Sequence, residues 1–97
     1  MQFISADELN SIARTFAEVI EDKDMLQRAV KWSKRAIKME KLYSYHYTLA
    51  ALYYKIENYK KAKKAAKKAI KIAKKTGENP EYVEELLGEI IVAKNGK

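Results

Sequence analysis

Apolar side chains recur at steps of three and four residues along most of the chain, which is the period of an α-helix with one buried face. The inward-facing set of the first segment comprises Leu9, Ile12, Ala13, Phe16, Ala17 and Ile20. That of the second comprises Leu26, Ala29, Val30, Ser33, Ala36 and Ile37. We therefore predict amphipathic helices that pack these faces against one another.

Capping signals place the first two helices. Ser5 with Glu8 three residues later is a capping box, which predicts a helix over about residues 6–21. Asp24 opens a second such box and predicts a helix over about residues 25–40. The connection between them is so short that the two helices should form an antiparallel hairpin.

Three further helices follow from similar signals. Ser44 and Asn58 stand where a side chain can cap a third and a fourth helix. Gly77 fits a left-handed C-terminal cap, and Asn79 before Pro80 is a cap followed by a first-turn proline. The predicted helices cover about residues 45–56, 59–75 and 80–93.

These elements predict one all-α domain over residues 1–97. Its first hairpin spans about residues 6–41 and its second about 44–76, and a helix over about 80–93 closes the end. The composition agrees, because 97 residues with three Gly and one Pro provide few tight turns.

The two hairpins align when one is shifted by 33 residues. In their first helices, Ala13, Phe16, Ala17 and Ile20 match His46, Leu49, Ala50 and Tyr53, and the last helix repeats the spacing with Glu84, Leu87, Gly88 and Ile91. In their second helices, Ala29, Ser33 and Ala36 match Ala62, Ala66 and Ala69. We interpret the small residues Ala17, Ala50 and Gly88 as points where helices approach closely.

This spacing resembles the W-x2-L-G-x2-Y…A-x3-F…A pattern of the tetratricopeptide (TPR) family over about residues 10–93. Ala13, His46 and Glu84 occupy the Trp position, and the Pro that closes each repeat is missing. The resemblance implies a right-handed superhelical array of two antiparallel hairpins plus a C-terminal capping helix. A weaker resemblance, carried partly by residues 48–55, is to helical regions following bacterial thioredoxin-like domains.

The TPR resemblance also implies a function. Members of the family bind a peptide or partner protein in a concave groove, here made by helices 1, 3 and 5. The residues that the resemblance carries into this groove are Arg14, Thr15, Glu18, Glu21, Asp22, Tyr47, Thr48, Ala51, Tyr54 and Lys55. Glu18 would repel a terminal carboxylate, which disfavours a chaperone tail as the ligand. The expected function is a non-enzymatic interaction or scaffolding module.

Side chains that catalysis or metal binding requires are scarce. The chain has no Cys, and its one histidine, His46, stands at a packing position of the repeat. A lone histidine cannot complete a zinc site. Glu84, Glu85 and Glu89 accompany no nucleophile and base. We therefore predict no enzymatic activity, no metal and no cofactor.

Charge is distributed unevenly. The chain has 20 Lys and Arg against 13 Asp and Glu, yet residues 59–75 hold nine Lys and no acid. These lysines form either a solvated outer face or a surface of helices 2 and 4 that binds nucleic acid or another polyanion non-specifically. The contacts predicted for this alternative are Lys60, Lys64, Lys67 and Lys71. We expect no membrane partner, because the apolar face of helix 4 is mostly Ala.

The last helix carries more apolar residues than one helix contact should bury. They are Val83, Leu86, Leu87, Ile90, Ile91 and Val92. Repeat arrays also tend to stack about three units, whereas this chain has two hairpins. We therefore predict that the outer side around Leu86, Ile90 and Val92 contacts a second copy, as a homodimer, or a neighbouring domain. In the competing interpretation these residues seal the end of a monomer.

Overall fold

The computed structural model of the protein describes residues 4–96, which form five α-helices and no β-strand within that range. The helices are α1 (Ala6–Val19), α2 (Lys23–Met39), α3 (Tyr43–Ile56), α4 (Tyr59–Thr76) and α5 (Glu81–Asn95). The prediction of an all-α chain is confirmed for these residues.

Each helix packs against the next one along the chain, and α3 also contacts α1 and α5. Because it touches all four other helices, α3 is the central element of the fold. The links between helices are residues 20–22, 40–42, 57–58 and 77–80. Links of this length return the chain along the preceding helix rather than carrying it to a distant position.

Three predicted helix ends are confirmed. Ser5 Oγ accepts the N–H of Glu8, and Glu8 Oε1 accepts the N–H of Ser5, each at 3.1 Å. The hydrogen bond from the Ser5 N–H, and after it one from the Ser5 side chain, holds the pKa of the Glu8 carboxyl below its usual value. Asn58 Oδ1 accepts the N–H of Lys61 at 3.3 Å and caps α4. Gly77 ends α4 with a φ of 80°, a conformation that glycine adopts without steric cost.

The predicted cap of α2 is wrong. Asp22, rather than Asp24, caps this helix, because Asp22 Oδ1 accepts the N–H groups of Asp24 at 2.8 Å and Met25 at 3.1 Å. Once Asp22 satisfies these amides, α2 begins at Lys23 and Asp24 lies in its first turn. There its negative charge stabilises the positive end of the helix dipole without capping it.

The predicted cap of α3 is also wrong. Leu42 is the N-cap and forms no side-chain cap, so Ser44 falls inside the first turn. The Leu42 carbonyl accepts the N–H of Tyr45 at 3.1 Å. Tyr45 is 1% exposed and Tyr43 packs against the core, so tertiary packing sets the start of α3.

The start of α5 differs from its prediction by one position. Pro80 is the N-cap rather than the first helical residue. Asn79 Oδ1 still accepts the N–H of Glu81 at 2.9 Å, so the predicted Asn-Pro signal marks the correct turn.

Alanine makes up much of the core. Ala13, Ala29, Ala36, Ala50, Ala62, Ala66, Ala69 and Ala73 have no exposed surface. Methyl side chains let helix axes approach closely, and the larger Leu26, Leu52 and Ile90 fill the remaining space. Ile12, predicted to face inward, is 42% exposed. Its prediction is wrong because α1 packs only against α2 and α3, leaving that side uncovered.

The prediction for the outer side of α5 is wrong at two of its three residues. Leu86 is 8% exposed and Ile90 is fully buried, because both pack into the core. Val92 alone remains largely exposed, at 72%. Gly88 also departs from expectation, since a Cβ added there would meet no atom within 4 Å. No helix within residues 4–96 packs over Gly88, so the close helix approach predicted at this glycine does not occur there.

Candidate functional site

Three helices, α1, α3 and α5, line a small hollow. It measures about 150 Å³ and is lined by Asn10, Arg14, Tyr43, Ser44, Tyr47, Thr48 and Tyr82. An adjoining hollow of about 200 Å³ is lined by Arg14, Ala17, Glu18, Tyr47, Thr48 and Ala51. The two hollows share Arg14, Tyr47 and Thr48, and together they form what we call the α1–α3 groove.

Asn10 supplies a buried polar group to this groove. It is 8% exposed, and its Oδ1 has no hydrogen-bond partner within residues 4–96. A buried acceptor without a donor costs about 1–3 kcal/mol. A ligand that donates a hydrogen bond to this oxygen would remove that cost.

Two tyrosines connect α3 and α5 at the same place. The rings of Tyr47 and Tyr82 meet edge to face with centroids 6.1 Å apart. Tyr82 is 69% exposed, whereas Tyr47 is half-buried. Burial raises the pKa of Tyr47, with opposing influence from Arg14 and a further increase from Glu89 and neighbouring tyrosines. The Tyr47 hydroxyl therefore stays protonated and can donate a hydrogen bond.

The structure brings five of the predicted groove residues together. Arg14, Glu18, Tyr47, Thr48 and Ala51 all line the α1–α3 groove. Arg14 Nε lies 3.5 Å from Glu18 Oε2, and both side chains are more than 60% exposed, so both charges remain open to a ligand. Thr48 is 2% exposed and donates its hydroxyl to the Ser44 carbonyl, so it forms part of the floor.

The other predicted groove residues lie elsewhere or hold the frame. Asp22 caps α2. Lys55 Nζ donates to the Ile20 carbonyl at 2.7 Å and lies 3.0 Å from Glu21 Oε2, so both residues connect α3 to the end of α1 rather than lining the groove. Thr15 donates to the Ser11 carbonyl and lines neither hollow. Tyr54 lines a separate hollow against α5.

That separate hollow shows what the sequence prediction missed. It measures about 520 Å³ and is lined by Tyr54, Glu85, Gly88, Glu89, Val92 and Ala93. Leu87 follows Leu49 by 38 positions, and the same shift places Glu85, Glu89, Val92 and Ala93 opposite Tyr47, Ala51, Tyr54 and Lys55. Carrying the repeat one helix further would therefore have identified these residues. Asn10 and Tyr43 align with each other under the 33-residue shift, but neither aligns with a predicted groove residue.

A second and quite different hollow lies between α2, α3 and α4. It measures about 300 Å³ and is lined by Lys34, His46, Leu49, Tyr53, Lys61, Lys64, Ala65 and Lys68. We call it the lysine pocket. Of the lysines predicted for polyanion binding, Lys64 lines this pocket, whereas Lys60, Lys67 and Lys71 are exposed outside it.

His46 is a buried wall of the lysine pocket, at 6% exposure. Its Nδ1 lies 3.2 Å from the Leu42 carbonyl, which assigns a proton to Nδ1 and leaves Nε2 for other partners. Burial lowers the pKa of His46, and Lys68 and Lys41 lower it further, against the raising effect of the Leu42 carbonyl. The histidine is therefore neutral near pH 7.

Within residues 4–96, no group of three His, Cys, Asp or Glu side chains is placed to hold a metal ion. In the same range no helix has both the length and the apolar content needed to cross a bilayer. Comparison with protein families, curated proteins and solved structures found no match.

Proposed function

We propose that the chain is a TPR-like, right-handed superhelical array of two hairpins and a capping helix, acting as a non-enzymatic interaction or scaffolding module. It binds a peptide or partner protein along the face of α1, α3 and α5. The contacts of α3 with both α1 and α5 support this arrangement, because they align the first helices of successive repeats. The 33- and 38-residue shifts that superpose the groove positions support it as well.

One observation carries the binding proposal. The buried Asn10 Oδ1 lacks a donor, and it belongs to a hollow that Arg14, Tyr47 and Tyr82 also line. A polypeptide meets this chemistry, since its backbone provides both N–H donors and carbonyl acceptors. Arg14 and the tyrosine hydroxyl then serve as donors to the carbonyls.

Charge around the groove defines the partner further. Arg14 and Glu18 line the groove, and Glu85 and Glu89 line the separate hollow on the α5 side. Basic side chains of the partner segment would complement Glu18, Glu85 and Glu89, and an acidic one would complement Arg14. Tyr47 and Tyr82 provide the rigid aromatic contacts that dominate many interfaces.

A random peptide display library tests the proposal. Selected peptides should bind the wild-type chain, and Tyr47→Ala should weaken the binding about tenfold or more, as loss of a central aromatic contact does. Asn10→Leu should weaken it similarly while leaving the unfolding midpoint equal or higher, because it removes a buried acceptor without creating a cavity.

Lys67→Gln provides the matched control, because Lys67 is exposed on α4 and lines none of the hollows described above. Its peptide affinity should equal that of the wild type. If peptide affinity falls with Lys67→Gln but not with Tyr47→Ala, the peptides bind outside the α1–α3 groove and the proposal is wrong.

A second function is polyanion binding through α2 and α4. It is favoured by the α4 lysines, whose positive charges no ion pair within residues 4–96 neutralises. The ion pairs found within residues 4–96 are Arg14–Glu18, Lys23–Glu57 and Lys55–Glu21, and none involves an α4 lysine. Binding of a random-sequence oligonucleotide should weaken steeply between about 50 and 200 mM salt. Affinity that is insensitive to salt would exclude this function.

A further inference from the structure

We propose that the lysine pocket is a binding site for a small organic phosphate, in which the lysines hold the phosphate group and the pocket floor holds an apolar body. This site is independent of the α1–α3 groove. It also differs from a non-specific polyanion surface, because it selects for the apolar part of the ligand as well as for charge.

The charge of the pocket comes from two helices. Lys34 projects from α2, whereas Lys61, Lys64 and Lys68 follow one another at three and four residues along α4. No acidic side chain lines the pocket. Like charges at this spacing repel one another along a helix, so a bound dianion would replace repulsion with attraction.

The floor of the pocket is apolar and firmly packed. Leu49, Tyr53 and Ala65 line it and are each less than 10% exposed, as members of the main core cluster. Their positions are therefore set by folding rather than by a ligand. A phenyl-sized group placed on them would bury its own apolar surface without displacing the core.

Two side chains can orient the ligand. Lys61 Nζ lies 5.8 Å from the centre of the Tyr53 ring, a cation–π distance that directs this ammonium over the floor. His46 Nδ1 is engaged by the Leu42 carbonyl, so Nε2 is the ring nitrogen left for a ligand, and it can donate to a phosphate only when His46 is protonated. Protonation of His46 on binding would add one more charged donor.

The shape of the site favours a small molecule over a nucleic acid. A hollow of about 300 Å³ lies at the lower end of the range of small-ligand pockets. Exposed lysines outside the hollow, such as Lys67 and Lys71, would contact an extended polyanion equally well. The pocket places charge and apolar surface side by side, and a small organic phosphate uses both. The extended phosphate backbone of a nucleic acid would not use the apolar surface.

Isothermal titration calorimetry with three probes tests the site. Phenyl phosphate should bind at least about tenfold more tightly than inorganic phosphate, since only the former covers the floor. Phenol, which lacks the anionic group, should show no measurable heat. Chemical-shift changes of Leu49, Tyr53 and Ala65 on addition of phenyl phosphate should locate the ligand.

A matched pair of double variants distinguishes binding in the lysine pocket from general attraction to the positive charge of α4. Lys64→Gln with Lys68→Gln removes two pocket lysines, whereas Lys67→Gln with Lys71→Gln removes two lysines of the same helix outside it. Both lose the same net charge. Phenyl phosphate should bind the first at least about tenfold more weakly than the wild type, and the second within about threefold.

Three outcomes would overturn the inference. Equal losses in the two double variants would mean diffuse attraction to α4. Equal affinity for phenyl phosphate and inorganic phosphate would mean that the apolar floor is unused. No binding of phenyl phosphate at millimolar concentration, with an unchanged wild-type fold by circular dichroism, would mean that no such site exists.

Discussion

α3 presents two contrasting surfaces to opposite neighbours. Tyr47 and Thr48 line the α1–α3 groove, whereas the adjacent His46 and Leu49 line the lysine pocket. The groove combines a buried amide, tyrosines and charges of both signs, and the pocket combines one sign of charge with an apolar floor. Mixed polar groups suit a polypeptide, and the uniform charge suits an anion.

The difference comes from the helices that face α3, rather than from α3 alone. Residues 1–24 carry six acids and two bases, and residues 76–97 carry five acids and two bases. The groove takes its charges, those of Arg14 and Glu18, from α1, and the pocket takes its lysines from α2 and α4. One central helix therefore serves two surfaces with separate chemistry.

The largest expected effect comes from a substitution in the buried core of α3, the helix that both surfaces share. Ala50 is fully buried in α3, so Ala50→Leu should overpack the core and lower the free energy of unfolding by about 1–3 kcal/mol. Ala51→Leu is the matched control, because Ala51 is partly exposed in the groove. It should cost less stability while obstructing the groove. Equal urea midpoints for Ala50→Leu and wild type would contradict the packing.

The next effect separates residues that frame the groove from those that line it. Asp22→Ala should lower stability by about 0.5–2 kcal/mol through loss of the α2 cap. Asp24→Ala, two residues away, should change the thermal unfolding midpoint less, because Asp24 caps nothing. A larger decrease in the thermal unfolding midpoint for Asp24→Ala than for Asp22→Ala would show that Asp24 caps α2 after all.

A smaller effect tests the link between α1 and α3. Lys55→Met removes the hydrogen bond to the Ile20 carbonyl together with the exposed ion pair to Glu21, and it should cost about 0.5–1.5 kcal/mol, mostly through the hydrogen bond. Lys23→Met removes the Lys23–Glu57 pair, whose side chains are 58% and 47% exposed, and should cost less. Chemical denaturation of both variants compares them. A larger loss for Lys23→Met would show that Lys55 does not support the frame.

The smallest effect concerns pH on the pocket side. The folded-state pKa of His46 is lowered first by burial and then by Lys68 and Lys41, and Lys34, Lys61 and Lys64 also line the pocket that it faces. Its stability contribution is complete above the unfolded pKa near 6.5 and falls as the pH drops toward the folded value. Urea midpoints should therefore decrease on acidification more in the wild type than in His46→Gln. Parallel curves would disprove this.

Local chemistry predicted much of the fold. The Ser5 capping box, the Asn58 cap and the Gly77 end are short-range signals, and each forms as expected. The starts of α2 and α3 failed for different reasons. Asp22 and Asp24 are chemically alike and close together, so sequence could not rank them. Leu42 has no capping chemistry, because packing of Tyr43 and Tyr45 sets that boundary.

The groove was predicted in part. Arg14, Glu18, Tyr47, Thr48 and Ala51 were found because the repeat spacing marks one helix face. Asn10 and Tyr82 were not predicted because neither aligns with a predicted groove residue, whereas Glu89 of the separate hollow aligns with Ala51 under the 38-residue shift. Of the lysines predicted to bind a polyanion, which are Lys60, Lys64, Lys67 and Lys71, only Lys64 lines the lysine pocket with Lys34 of α2.

The sequence by itself determined the helical class, three of the helix ends and the separation of acidic and basic segments, because these depend on neighbours within about one helical turn. Tertiary structure decided which apolar residues are buried, as Ile12 and Ile90 show in opposite directions. It also decided that Asn10 Oδ1 has no donor and that lysines of two helices share one hollow. Burial and convergence depend on which helices lie opposite each other, and that arrangement is set by packing of the whole chain.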